Sequence, residues 1–309
     1  MIRYTVKRIV TGILSLFLLA TITFFLVRII PGSPFQSGGI SHVVVEAVEE
    51  EYGLNRPVFE QYVSYMGNLL KGDLGISYQE PGTTVTEVIA RACPLTLSIG
   101  IPALIVSILV GTSLGIWCAV TKKQCVKRII TSGGMLAAGI PSFAAAILLL
   151  LLFSVKLKWF PSSGLLSPAH YVLPVIALSL YPTAVISRFM SNTMSAELKK
   201  DYILFARAKG LQTGAIWIKH GLKNAWLPVL NYIGPASAFL LTGSFVVESI
   251  FTIPGLGREF VSSITNRDYT MILGLTIFMG TVVITVNLVT DLVSAWLDPR
   301  LRNAYGEEK

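Results

Sequence analysis

The chain is expected to fold as an all-α membrane protein of six transmembrane helices, with a small helical insertion outside the membrane between the first and second. Three observations predict this. Apolar runs of bilayer-spanning length recur along the 309 residues, 53% of residues are apolar and only 14% charged, and the basic residues gather in the segments on one side of those runs.

The first run, 9–30, follows Arg3, Lys7 and Arg8 and so has the look of a signal peptide. It is longer than a signal core and no small-x-small cleavage site follows it, so it reads as a retained span. Further spans are expected at 94–120, 129–155, 169–190, 227–247 and 271–292. Six spans place both termini on the same side. With the termini in the cytoplasm, the inner segments hold 17 basic residues, from Arg3, Lys7 and Arg8 through Lys122, Lys123, Lys127, Arg128, Arg188 and the loop lysines to Lys309. The outer segments hold seven, Arg56, Lys71, Arg91, Lys156, Lys158, Arg258 and Arg267, and Arg28 lies near the outer end of the first span. That asymmetry orients the chain with both termini inside. The net charge of +8 is therefore a topological signal rather than a sign of nucleic-acid binding.

The segment 31–92 is too long for a simple connector and carries helical patterning. Ser41 is placed to cap a helix ending at Gly53. Pro57 opens a second helix, whose Tyr62, Tyr65, Met66 and Leu69 share a face before Gly72 stops it. Two readings stand side by side: a lid packed on the span ends, and a surface that receives something arriving from outside.

Between the fourth and fifth spans lies a structured loop, 191–226. Asp201 suits an N-cap, Arg207 and Lys209 fall in the last turn where cations complement the helix dipole, and Gly210 suits the left-handed C′ position. The apolar face of the resulting helix, Ile203, Leu204, Phe205, Ala206 and Ala208, is too short to span a bilayer and too apolar to stand in water. Thr213 is placed to cap a second helix through Ile216, Trp217 and His220 that returns to the membrane at Leu227-Pro228. Such a loop is either an amphipathic helix lying on lipid or a knob that fits a groove on a soluble partner.

After the fifth span, Pro254, Gly255 and Gly257 make a sharp turn bracketed by Glu248 and Arg258. It reads as an interfacial turn or as a gate at the outer mouth. In the last span Asn287 and Asp291 share a helical face near the cytoplasmic end, which points to pairing with a basic group or, alternatively, to an ion path. Gly133, Gly134, Gly139, Pro141, Pro174, Pro182, Gly234, Pro235 and Gly243 permit broken helices around a cavity, and equally serve close packing.

Other chemistries find little support. Cys93, Cys118 and Cys125, like His42, His170 and His220, are scattered with no disulfide or metal spacing. No nucleophile, base and metal constellation suggests an enzyme. No Gly-Lys dipeptide exists from which to build a phosphate-binding loop, so energy from ATP has to come from another subunit. An ion-coupled secondary transporter would show central charges and repeated halves, and neither is found.

The loop resembles the signature of binding-protein-dependent ABC importer permeases. Ala206, Gly210 and Leu227-Pro228 match its alanine, glycine and terminal pair, whereas Leu204 and Phe205 replace its Glu and Ala and the spacer after Gly210 is longer. Both departures resemble the peptide and nickel branch, which reads Ala-Arg-Ala-Lys-Gly-Leu as residues 206–211 do. The likeness covers essentially the whole chain, through Arg-Ile-Ile-Pro-Gly-Ser-Pro-Phe at 28–35, Tyr-Gly-Leu-Asn-Arg-Pro at 52–57, Gly-Asp-Leu-Gly at 72–75, Ile-Pro-Gly-Leu-Gly at 253–257, Asn-Arg-Asp-Tyr at 266–269 and Asp-Pro-Arg at 298–300. The runs 31–35 and 231–236 are most similar to the first permease of oligopeptide importers.

The resemblance implies the ABC type I importer permease fold over 1–309, in a prokaryotic cytoplasmic membrane. It implies peptide import, with nickel or another small solute as the alternative. A second permease, two cytoplasmic ATPases that bind ATP and Mg, and an extracytoplasmic solute-binding protein are the implied partners, beside peptide substrate and membrane lipid; no cofactor is implied on this chain. Asp201, Ala206, Arg207, Ala208, Lys209, Gly210 and Leu211 are then the residues that couple to the ATPases, and Glu248, Pro254, Gly255, Gly257 and Arg258 the outer gate or turn.

Overall fold

In the computed structural model, residues 2–29, 53–80 and 82–297 are described, and helices account for nearly all of them. In chain order they are α1 (Ile2–Ile29), α2 (Val58–Leu70), α3 (Val85–Val120), α4 (Gln124–Gly139), α5 (Ser142–Leu149, continued as a π-helix over Leu150–Lys156), α6 (Pro168–Glu197) and α7 (Asp201–Ala208). A short rod of Thr213–Ala215, the π-helical Ile216–Leu222 and Lys223–Ala225 follows. It leads into α8 (Leu227–Thr242), α9 (Phe245–Ile250), α10 (Leu256–Thr265) and α11 (Tyr269–Leu297).

Five spans are long and apolar enough to cross a membrane: Thr5–Ile29, Val85–Val120, Pro168–Glu197, Leu227–Ile250 and Tyr269–Trp296. The third expected span is not one continuous helix. It is the bent pair Gln124–Gly139 and Ser142–Lys156, turned by 101°. Pro141 has no N–H to give and forces Ile140 into an extended conformation (ψ 118°), so the ladder breaks there. By contrast Pro94, Pro102, Pro174, Pro182 and Pro235 sit inside continuous helices. The fifth span also breaks, at Gly243 (φ 92°, ψ 155°), a conformation open to glycine, and resumes as α9.

The helix starts are well signalled. Thr84 and Glu87 form a reciprocal capping box at the head of α3, which begins at Val85 rather than at residue 94. The insertion helix α2 opens after Pro57 as expected, and Gly72 follows it with φ 80°. Tyr62 and Tyr65 lean on Phe24 of α1, with ring centroids 5.4 and 5.6 Å apart, and the Tyr62 hydroxyl lies 2.8 Å from that of Thr21. The expected helix from Ser41 lies outside the described residues.

The dominant helix pair is α3 with α6. On α3, Ala103, Ser107, Gly111 and Gly115 recur every four residues, all buried. A Cβ on Gly111 would come within 2.9 Å of Ile186 and one on Gly115 within 2.6 Å of Met190, so the two backbones approach as only small residues allow. The core divides along the bundle. Ile99, Leu173, Leu178, Leu240, Val247 and Phe251 fill one end, and Ile186, Met190, Met194, Ala225 and Val229 fill the other. Arg8 of α1 holds Asp291 of α11 at 3.0 Å, which supplies the partner expected for that acid.

Candidate functional site

The residues singled out from the sequence fall into two groups at opposite ends of the bundle, with the span Leu227–Ile250 between them.

The first group is α7 and its turn. Asp201 is already helical; Lys200, with ψ 152°, occupies the N-cap and makes no side-chain cap. The acid therefore acts on the helix dipole from the first turn instead of capping it. Thr213 is likewise the first helical residue, after Gln212 (ψ 141°). At the other end Arg207 falls in the last turn as expected, while Lys209 is the C-cap beyond it. Gly210 has φ 77°, its N–H donates to Arg207 C=O at 2.9 Å, and Leu211 N–H donates to Ala206 C=O at 3.3 Å, the paired bonds of a Schellman ending.

The apolar residues of α7 do not form one face. Ile203 and Ala206 are buried against Ile216 of the rod, whereas Leu204 and Phe205 are 64% and 63% exposed. Arg207, Ala208, Lys209 and Leu211 also lie outward, and the Lys209 ammonium sits 4.5 Å from the centre of the Phe205 ring. Behind them the helix is braced. The Tyr202 hydroxyl donates to Glu197 at 2.6 Å and accepts from the Asn224 amide at 3.0 Å, while Lys200 donates to Glu197 at 2.5 Å. Partial burial and the Glu197 carboxylate push the Tyr202 phenol up, so it stays protonated as the donor this brace needs. Trp217, Leu222 and Trp226 pack beside Met190 and Met194, and Thr193 donates to Ala225 C=O at 3.0 Å. The α7 helix, the rod and the adjoining end of α6 are thus one braced body.

The second group surrounds Glu248, whose side chain is entirely buried. Its carboxylate accepts from the Thr96 hydroxyl of α3 at 2.9 Å, from Arg258 N–H at 2.9 Å and from Gly257 N–H. Thr96 in turn accepts from Leu256 N–H at 2.8 Å. The glycines make room for this arrangement. A Cβ on Gly255 would stand 2.5 Å from Thr96 Oγ1 and 2.6 Å from Glu248 Cδ, and one on Gly257 would stand 2.7 Å from the Phe245 nitrogen. Pro254 is exposed. Glu248 and Arg258 meet through the Arg258 backbone, so the acid is an internal knot and not a charge displayed at a mouth.

Sequence reasoning passed over Thr96 and Asp268. Asp268 is 3% exposed, accepts from the Ser77 hydroxyl and from Tyr78 and Met271 N–H, and so ties the segment before α3 to the head of α11. Its signal was the Asn-Arg-Asp-Tyr run; Thr96, an isolated threonine in an apolar span, had none. Among the described residues no cluster of His, Cys, Asp and Glu could hold a metal, and the three cysteines are free thiols.

Comparison with known proteins follows the same geometry. The family described as "Binding-protein-dependent transport system inner membrane component" matches residues 111–303, and the corresponding N-terminal membrane-component family matches residues 1–100. The chain is 38% identical over 302 residues to the dipeptide transport system permease protein DppB of Lactococcus lactis, covering 98% of this chain and 100% of that one. It is 38% identical over 305 residues to the oligopeptide transport system permease protein OppB of Haemophilus influenzae, with the same coverage. Among solved structures, an inward-facing MetNI methionine ABC transporter superposes with a TM-score of 0.57 at 17% identity, over 68% of this chain and 96% of that one. That last likeness speaks for the fold alone.

Proposed function

The chain belongs to the family of binding-protein-dependent transport system inner membrane components, and from that membership we propose that it works as the permease subunit of an ATP-driven importer of dipeptides or oligopeptides. The observation that carries the reading is identity of 38% across 98% of the chain to dipeptide and oligopeptide permeases. In this reading a second permease completes the passage, two cytoplasmic ATPases bind ATP and Mg, and an extracytoplasmic solute-binding protein delivers peptide. Both termini and α7 lie in the cytoplasm, and α2 and the Glu248 knot lie outside.

The geometry supports a division of work. Exposed Leu204 and Phe205 on a braced, capped helix have the shape of an anchor for a groove on a soluble partner. Closure of the ATPases around ATP would push α7, and because α7, the rod and the end of α6 are one body, the push reaches the spans without being absorbed locally. ATP then biases a two-state membrane element, and peptide need not supply the energy. Asp201, Ala206, Arg207, Ala208, Lys209, Gly210 and Leu211 act here as the coupling piece. Glu248, Pro254, Gly255, Gly257 and Arg258 act as the fixed frame of the outer mouth, where the gate closes against a turn that does not itself deform.

Two measurements test this. Uptake of labelled peptide by vesicles holding the complete importer should require ATP and the binding protein; transport of nickel instead of peptide would reassign the substrate. A cysteine placed at Ser64, after Cys93, Cys118 and Cys125 are replaced, should react with an impermeant reagent from outside, and one at Thr213 only from inside. Reversed labelling would overturn the roles of both ends.

A further inference from the structure

Arg188 is a charge for which the roles above leave no use. It lies in α6 before Glu197, inside the expected span 169–190 and near that span's cytoplasmic end. Its side chain is exposed in the single chain and, among the described residues, makes no hydrogen bond or ion pair. An unpaired guanidinium inside a span is costly against lipid and is better placed beside water, a partner or a ligand.

The surroundings decide which. Arg188 lines a cavity of about 580 Å³ between α3, α4 and α6, within the range of small-ligand sites. Ser191 and Asn192, three and four residues on, share its helical face and line the same space. Thr131, Gly134 and Ala138 of α4 form the opposite wall. A Cβ on Gly134 would meet nothing within 4 Å, so that wall is kept low there rather than packed. The opposite face of α6 is the one that carries Ile186, Met190 and Met194 into the core. One cation, flanked by a hydroxyl and an amide and facing a low wall, is the equipment for a single carboxylate with an amide group behind it.

We propose that Arg188, with Ser191 and Asn192, forms a transit subsite for the C-terminal carboxylate of the peptide. This rests on the peptide-permease reading. Every linear peptide with a free C-terminus carries that carboxylate whatever its side chains, so one arginine serves cargo of many sequences. Lys at this position offers the charge without the planar fork.

The test uses the complete importer in vesicles of phosphatidylcholine, with and without phosphatidylglycerol, and trialanine as cargo. Arg188→Gln should lower the kcat of uptake by about tenfold or more in both lipids while ATP hydrolysis stimulated by loaded binding protein stays within about twofold, and Arg188→Lys should keep an intermediate rate. In the detergent-purified complex lacking its native cysteines, a cysteine introduced by Ala138→Cys should be shielded from a thiol reagent by trialanine and not by trialanine amide. Parallel loss of uptake and ATP hydrolysis would make Arg188 a structural or coupling residue. Loss confined to phosphatidylglycerol vesicles would assign it to a lipid headgroup, and equal shielding by the amide would remove the carboxylate; each of these overturns the subsite. Wild-type importer that takes up no peptide overturns the underlying reading and the subsite with it, whereas normal wild-type uptake beside an unaffected Arg188→Gln overturns the subsite alone.

Discussion

The Glu248 knot and the α7 helix treat their side chains in opposite ways. Around Glu248 the Thr96 hydroxyl and the Gly257 and Arg258 N–H groups all donate to the acid, which is fully buried, and three glycines, 243, 255 and 257, are pressed against it. On α7 the backbone is equally well closed by its Schellman ending, yet Leu204 and Phe205 face outward with most of their surface uncovered. The first region is complete within one chain. The second is closed at its C-terminal backbone and left open in its side chains, an arrangement that suits a contact surface. Stability and transport should therefore separate at α7 and fall together at Glu248.

The largest effect on stability is expected from Glu248→Ala. It leaves the Thr96 hydroxyl and the Gly257 and Arg258 N–H groups without their acceptor, at about 1–3 kcal/mol for each orphaned group. Thermal unfolding of the detergent-purified complex should shift sharply downward and uptake should vanish; unchanged unfolding would mean that the knot is not what holds this end. Next comes Gly257→Ala, whose methyl must displace the Phe245 backbone at a cost of about 1–3 kcal/mol and should lower the melting temperature without any change of charge.

Gly210→Val is smaller and cleaner. Nothing lies within 4 Å of a Cβ there, so its whole cost, about 1 kcal/mol or more, comes from the positive φ. The complex should still assemble, and ATP hydrolysis should lose its response to loaded binding protein; a full response would remove α7 from the coupling role. The smallest change in stability belongs to Leu204→Ser with Phe205→Ser. Because both side chains are exposed, unfolding should move by no more than about 0.5 kcal/mol. Co-purification of the ATPases should nevertheless drop, and ATPases retained at wild-type level would collapse the contrast between the two ends.

Local backbone chemistry was the most legible part of this chain. Gly210 after a short basic-ended helix announced its left-handed cap, Pro57 and Gly72 bounded α2, and the spacing of apolar runs located the spans. What escaped reading depended on neighbours distant in sequence. Pro141 breaks its span while Pro174 and Pro182 do not, although all three stand in similar apolar runs. Glu248 read only as one bracket of a turn, since the groups that donate to it, the Thr96 hydroxyl and the 257–258 backbone, are unremarkable by themselves. The apolar set of α7 looked like one face, and only the position of Ile216 shows which two residues it covers. Arg188 counted among the inner basic residues although the expected span 169–190 contains it, and only the cavity it lines singles it out.

The π-helical stretch Ile216–Leu222 has a rotational consequence. A π-turn amounts to one residue more than an α-helix needs to cover the same axial advance, and each α-helical residue corresponds to about 100° of rotation. The stretch lies between α7 and the start of α8. In the proposed coupling role it would act as an angular offset, setting the azimuth at which a displacement of α7 reaches the span Leu227–Ile250. The same stroke delivered through an unbroken α-helix would act on a different flank of that span, so under this proposal the winding of these seven residues would set the direction of the motion.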